Sequence, residues 1–187
     1  GPRYSYLMVQ KFTSKKLVEE IKKKKIKAEV NLTYLNHDLF KKLKHIIDKQ
    51  KLGPIIDFKI NWNFISHDLN KKIKSWKTNE KLGGGIKNIF LTHVFSYCQF
   101  FFGDLTLKDY SIKTVKFKGL NFKNKIFCNV VSQNYLNGKI LVETKKNGLQ
   151  SHKIKINFKN GQVKLFTKSK DWTKDFVLEI NNKNIKK

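Results

Sequence analysis

The sequence predicts an α+β domain in which an antiparallel sheet wraps around one long buried central helix. Two stretches carry this expectation. Ile89 to Phe102 is apolar on nearly every side, with Phe90, Leu91, Val94, Phe95, Tyr97, Cys98, Phe100 and Phe101 between its ends. A helix that is apolar all round belongs inside a fold. After it, short alternating segments recur between turn signals at Asn137-Gly138, Asn147-Gly148 and Asn160-Gly161, as in an antiparallel meander. With 187 residues, 40% of them hydrophobic, the chain is long and apolar enough for one domain with a real core and extensions.

Taken in order, Lys15 to Lys27 predicts a short basic helix with Ser14 as N-cap and Leu17, Val18 and Ile21 on one face. Ile26 to Thr33 alternates as a strand does, with Ile26, Ala28, Val30 and Leu32 on one side. Asn36 is the expected cap of a helix running to Ile47, whose Leu39, Phe40, Leu43, Ile46 and Ile47 follow helical spacing. Lys49 to Ile60, with Gly53-Pro54, reads as an added loop or short strand, and Leu69 to Lys77 as a basic helix. Gly83-Gly84-Gly85 lacks the Gly-Lys-Ser/Thr ending of a phosphate loop, so it reads as a tight approach into the next helix. His93, with no carboxylate at i±3 or i±4, reads as a core or edge histidine. Tyr110–Phe117, Ile126–Tyr135, Lys139–Thr144, His152–Phe158 and Val163–Phe166 are the expected strands, and Asp171 to Lys187 is a C-terminal extension.

One motif-like stretch reads Asn61-Trp62-Asn63-Phe64-Ile65-Ser66-His67-Asp68. It resembles the hydratase motif of the MaoC-like dehydratases and R-specific enoyl-CoA hydratases, Asp-x-Asn-Pro-(Ile or Leu)-His-x-Asp. Trp62, at the open second position, Asn63, Ile65 and Asp68 agree with it; the catalytic Asp and His positions fall on Asn61 and Ser66, and the proline on Phe64. The resemblance implies a hot-dog fold over about residues 28–168, flanked by a basic N-terminal extension (1–27) and a C-terminal one (169–187). The family's His-Gly pair at the head of the central helix would fall on Asn88-Ile89. Hydration of an enoyl thioester needs a base and an acid. Asn61 cannot exchange a proton, and Ser66 is not basic near pH 7 without a partner. The expectation is therefore a pseudoenzyme with degenerate positions Asn61, Asn63, Ser66 and Asp68, no catalytic residue, no metal and no cofactor.

Charge sets the expected partner. Lys and Arg number 40 against 14 acidic residues, for a net charge of +26, and Arg3 is the only arginine. Such an excess suggests a polyanion. The lysines expected to meet RNA phosphates are Lys22, Lys23, Lys24, Lys25, Lys41, Lys42, Lys71, Lys72, Lys145 and Lys146. Together these point to a structural, rRNA-contacting protein of a mitochondrial ribosome, located in the matrix, with ribosomal RNA, neighbouring ribosomal proteins and a second hot-dog subunit as partners. The alternatives are a divergent mitochondrial 3-hydroxyacyl-thioester dehydratase or an accessory subunit of another organellar complex. Cys98 and Cys128 lie in apolar runs without metal-ligand spacing, as buried reduced thiols do. No long uncharged apolar run predicts a membrane span. Gly1-Pro2 reads either as the end left by a removed presequence or as an expression scar.

Overall fold

A computed structural model of the chain describes residues 11–28, 32–71, 73–117, 120–145, 148–167 and 175–185. The helices are α1 (Lys11–Lys23), α2 (Asp38–Lys49), α3 (His67–Asn70) and α4 (Thr92–Phe102). The strands are β1 (Ile55–Ile65), β2 (Leu105–Phe117), β3 (Leu120–Ser132), β4 (Asn137–Lys145), β5 (Ser151–Phe158), β6 (Gly161–Thr167), β7 (Phe176–Ile180) and β8 (Lys183–Ile185). They form one eight-stranded sheet in the order β2-β3-β4-β1-β5-β6-β7-β8. All neighbours are antiparallel except β1 and β4, which run parallel at the centre.

The hot-dog expectation is overturned by this topology. The sheet is mixed and packs α2 and α4 against one face, rather than wrapping a central helix. The all-round apolar character of α4 has another cause. Val94, Tyr97, Cys98, Phe101 and Phe102 are buried in the core, while Phe95 and Phe100 are half-buried against its margin. Phe40 of α2 stacks on Phe101 at 5.8 Å, so a second helix uses up part of the remaining surface. A helix with a sheet below it and another helix beside it needs apolar residues on more than one stripe.

Strand alternation then fixes which side chains enter the core. In β1, Phe58, Ile60, Trp62 and Phe64 are buried, and Asp57, Lys59, Asn61, Asn63 and Ile65 point to the outer face. β4 and β5 repeat the pattern with Ile140 and Val142, and with His152, Ile154, Ile156 and Phe158. β7 and β8, from the C-terminal extension, complete the same sheet.

Several boundaries differ from the sequence reading. Residues 26–28 and 32 form no strand; the remainder of that expected strand up to position 31 lies outside the described residues. A 3₁₀ turn at Thr33–Asn36 takes its place and drives Tyr34 into the core. His37, not Asn36, caps α2: its Nδ1 accepts the Leu39 N–H at 3.2 Å. The expected helix over Leu69–Lys77 is only the one turn of α3 and a 3₁₀ turn at Trp76–Thr78.

Asn137-Gly138 is not a turn but the start of β4, and the reversal lies upstream, where Tyr135 has φ 58°. Gly138 is required for packing. A Cβ there would sit 2.0 Å from Phe58 Cζ. That ring in turn stacks on Phe102 at 4.1 Å. Gly138→Ala is therefore expected to destabilise the domain by about 1–3 kcal/mol through overpacking, measured by urea unfolding; an unchanged midpoint would show that the Phe58 ring yields freely.

Candidate functional site

The chemistry-bearing side chains converge where the first turns of α4 meet β1 and β5. The approach to α4 is built by Gly83-Gly84-Gly85. Gly84 has no room for a Cβ, which would lie 2.0 Å from the Trp76 carbonyl oxygen, and Gly85 has φ +86°. The glycines thus press the chain onto the 76–80 turns and then release it into a π-helical turn, Lys87–Leu91. Such wide turns accommodate a local bulge in a helix and recur at functional sites. α4 follows without a break, with Thr92 Oγ1 donating to the Asn88 carbonyl at 2.9 Å.

His93 and Tyr97 lie one helical turn apart on α4 and so share a face. Tyr97 is fully buried, and its hydroxyl is 3.1 Å from His152 Nε2 on β5. Trp62 of β1 stacks on the His152 ring at 4.5 Å with only 8° between planes. Tyr34 stands at the centre, edge-on to His93 (6.0 Å), Tyr97 (5.9 Å) and His152 (5.1 Å). His93 is half-buried at the rim of this aromatic wall, and its Nδ1 is buried with no hydrogen-bond partner among the described residues.

Electrostatics separates the roles of these groups. Burial pushes the His93 imidazole below its ordinary value, so the ring is neutral at pH 7. Burial, followed by the charges of Cys98 and Tyr34, pushes the Tyr97 hydroxyl well above its usual range, so it stays protonated. His93 can therefore take up or return a proton near neutrality, while Tyr97 stays neutral beside His152 Nε2. Cys98 and Cys128 are buried and unpaired, with both thiols raised first by burial, and they are not nucleophiles. Among the described residues, no group of three or more His, Cys, Asp and Glu is placed to hold a metal ion, and no helix is long and apolar enough to cross a membrane.

The residues singled out from the sequence fall elsewhere. Asn61 and Asn63 lie in β1 on the outer sheet face, opposite the core; Asn63 Nδ2 donates to Ser151 Oγ at 3.4 Å. Ser66 and Asp68 lie at and just inside the start of α3, and Asp68 accepts from the Ser75 hydroxyl. The four positions therefore do not share one site. Lys22 to Lys25 end α1, Lys41 and Lys42 lie on α2, Lys71 follows α3 and Lys145 ends β4; Lys72 and Lys146 lie outside the described residues. A separate cleft of about 550 Å³ is lined by Lys74, Thr78, Asn79, Glu80 and Lys123 among others, with Lys123 paired to Glu80 at 2.7 Å; His93 does not line it.

Sequence reasoning set His93 aside as structural and missed Tyr34 and His152. The available signal was His93 and Tyr97 at i, i+4 on an otherwise apolar helix. His152 lies 55 positions beyond Tyr97, and only the sheet register brings it near.

Comparison with known proteins gives the family. The sequences described as the oxidoreductase family, C-terminal alpha/beta domain, match residues 44–181. No curated protein matches the chain. Solved structures agree in fold. A WlbA dehydrogenase from Bordetella pertussis, in complex with NADH and UDP-GlcNAcA, has a TM-score of 0.75 to the chain, with 12% identity over 92% of this chain and 52% of that one. An oxidoreductase from Thermotoga maritima gives 0.73 at 16% identity, covering 95% of this chain and 52% of that one. A levoglucosan dehydrogenase, in complex with NADH and L-sorbose, gives 0.72 at 16% identity over 90% and 46%. The chain thus spans about half the length of the solved structures it matches.

These findings overturn the MaoC-like resemblance, and with it the readings as an RNA-binding mitochondrial ribosomal protein, as a pseudoenzyme and as a dehydratase. The Asn61–Asp68 motif match reflected a strand with alternating apolar residues followed by a helix start. With the match extending over most of its length, the chain belongs to the oxidoreductase family that carries this C-terminal α/β domain.

Proposed function

We propose that the chain is the substrate-side α/β domain of a nicotinamide-dependent oxidoreductase, with His93 exchanging a proton with the hydroxyl or carbonyl oxygen of a polyhydroxylated substrate. The observation that carries this reading is the half-buried, neutral His93 at the rim of the aromatic wall, with its buried Nδ1 lacking a hydrogen-bond partner among the described residues. A neutral imidazole accepts the proton of an alcohol as it is oxidised, and its acid form returns one to a carbonyl as it is reduced. The substrate class draws support from two structural relatives whose complexes contain L-sorbose and UDP-GlcNAcA.

The described residues do not fit a dinucleotide. The glycines before α4 are closed off by the Trp76 carbonyl and the Glu80 side chain. Among the described strands the parallel pair, β1 and β4, is joined by α3, α4 and the antiparallel β2 and β3, so no helix leads directly from one parallel strand into the next as in the unit that cradles a pyrophosphate. The cofactor in this reading is held by another part of the enzyme, and the redox chemistry is the cofactor's share.

The test is a pH profile of the native enzyme oxidising a cyclic polyol. Because burial lowers the His93 pKa, the base form is fully present at pH 7. kcat/KM is expected to hold from about pH 8 down to neutrality and to fall once the pH drops through a value below about 6.5. A profile unchanged in His93→Gln would remove His93 from proton transfer.

A further inference from the structure

The cleft beside the glycine run gathers lysines from segments far apart in the chain. Lys74 precedes the 3₁₀ turn at Trp76–Thr78, Lys81 lies in the following turn at Glu80–Leu82, and Lys123 comes from β3. Thr78, Asn79, Glu80, Thr114 of β2 and the buried Phe122 complete the lining. The volume of about 550 Å³ falls within the span of small-molecule sites, about 300–1,000 Å³. Three ammonium groups face one carboxylate there. Glu80 is taken by Lys123, and Lys74 and Lys81 form no ion pair among the described residues.

The side-chain acceptors of the lining are already engaged. Glu80 Oε2 accepts from Lys123 at 2.7 Å, and its Oε1 is buried on the side of Gly85. Asn79 Oδ1 accepts the Lys81 N–H at 3.0 Å. Thr78 Oγ1 accepts the Ser75 N–H at 3.2 Å and donates to the Ser75 carbonyl at 2.9 Å. What is left to meet a ligand is donors: the Lys74 and Lys81 ammoniums, the further N–H groups of Lys123, the Asn79 amide nitrogen and the Thr114 hydroxyl, which can turn either way. Such a cleft selects a ligand that is anionic and rich in acceptors.

We propose that this cleft binds the phosphate monoester of a small organic molecule. A monoester carries about −1.5 to −2 charge at pH 7 and three acceptor oxygens, which matches the two lysines without a carboxylate partner. A carboxylate brings one charge and two oxygens, and a nucleic-acid phosphate is a diester with one charge. Lysine meets phosphate as a compact point charge, so the absence of arginine from the lining is no obstacle. Phe122 and the threonine methyl groups supply an apolar wall for the organic part. His93 does not line the cleft, so the proposal does not rest on proton exchange there.

With a net charge of +26 the chain attracts any anion weakly, so the test is one of place. Amide NMR spectra of the native protein are followed while β-glycerophosphate is added at about 0.15 M salt, with glycerol and acetate added in parallel. Saturable shifts are expected at residues 74–81, 114, 122 and 123, with none from glycerol and binding about tenfold weaker for acetate. Lys74→Gln/Lys81→Gln should weaken binding about tenfold. Lys22→Gln/Lys23→Gln in α1, which removes equal charge, should change it less than about twofold. Thr114→Val, which leaves the charge intact, should cost about threefold. The proposal is overturned if the shifts scatter over other lysines without saturating, if acetate binds as well as the monoester, or if both double variants lose affinity equally. It is also overturned if duplex RNA displaces the monoester from the cleft at a lower phosphate concentration. Binding is read without turnover, so its failure and a failure of the His93 assay are separate results.

Discussion

Replacing His93 by alanine should lower kcat of the native enzyme by about 10²–10⁴-fold, the usual cost of removing one general acid–base group. KM should change far less, because the half-buried ring is one wall among several. The aromatic floor of the site, Tyr34, Trp62, Tyr97 and His152, stays in place without it. Thermal unfolding of the variant should show a folded protein. A linkage effect accompanies the loss of activity. A folded pKa below the unfolded value means that the unfolded chain binds more protons under about pH 6.5. His93 therefore contributes stability that is present above the unfolded pKa and lost as pH falls through the folded one. The alanine variant should show a flatter decline of melting temperature with acidification. A rate loss below about threefold would leave His93 as a rim residue without a chemical role.

Trp62→Ala should destabilise the domain by about 3–5 kcal/mol, the range for truncating a large buried aromatic. Trp62 is fully buried and stacks on His152. It also meets Phe90 edge-on at 5.4 Å and Tyr34 at 5.8 Å. Its loss opens a cavity under the site and removes the plane that orients His152. Equilibrium urea denaturation measures the first effect. The second should appear as weaker turnover even at temperatures where the variant remains folded. A loss under about 1 kcal/mol would mean that the neighbouring rings collapse into the gap.

Much of the local structure was legible in the sequence because strand and helix periods are local properties. Ile154, Ile156 and Phe158 alternate in sequence and are buried in β5; Leu39, Phe40, Leu43 and Ile47 follow helical spacing and are buried in α2. The architecture was not legible, because alternation fixes a strand's faces and not its neighbours. Nothing local in Ile55–Ile65 says that it lies between β4 and β5, parallel to one and antiparallel to the other. Taken as an added loop or short strand leading into a degenerate catalytic motif, the same residues suggested a different fold. The site suffered likewise. Beside Tyr97 on its own helix, His93 gains significance only with Tyr34 and His152, which come from separate parts of the chain.

The central position of β1 also shapes how the chain must be made. β1 has no strand partner until β4 and β5 exist, and β4 begins at Asn137. During synthesis Phe58, Ile60, Trp62 and Phe64 therefore wait uncovered while some seventy further residues emerge, including the β2–β3 hairpin that can close on its own. Contacts this distant in sequence are formed slowly, and an apolar strand left waiting with both edges open is a target for wrong pairing. A chain cut short before β4 should accumulate as an aggregating species, bound by chaperones, rather than as a smaller folded unit.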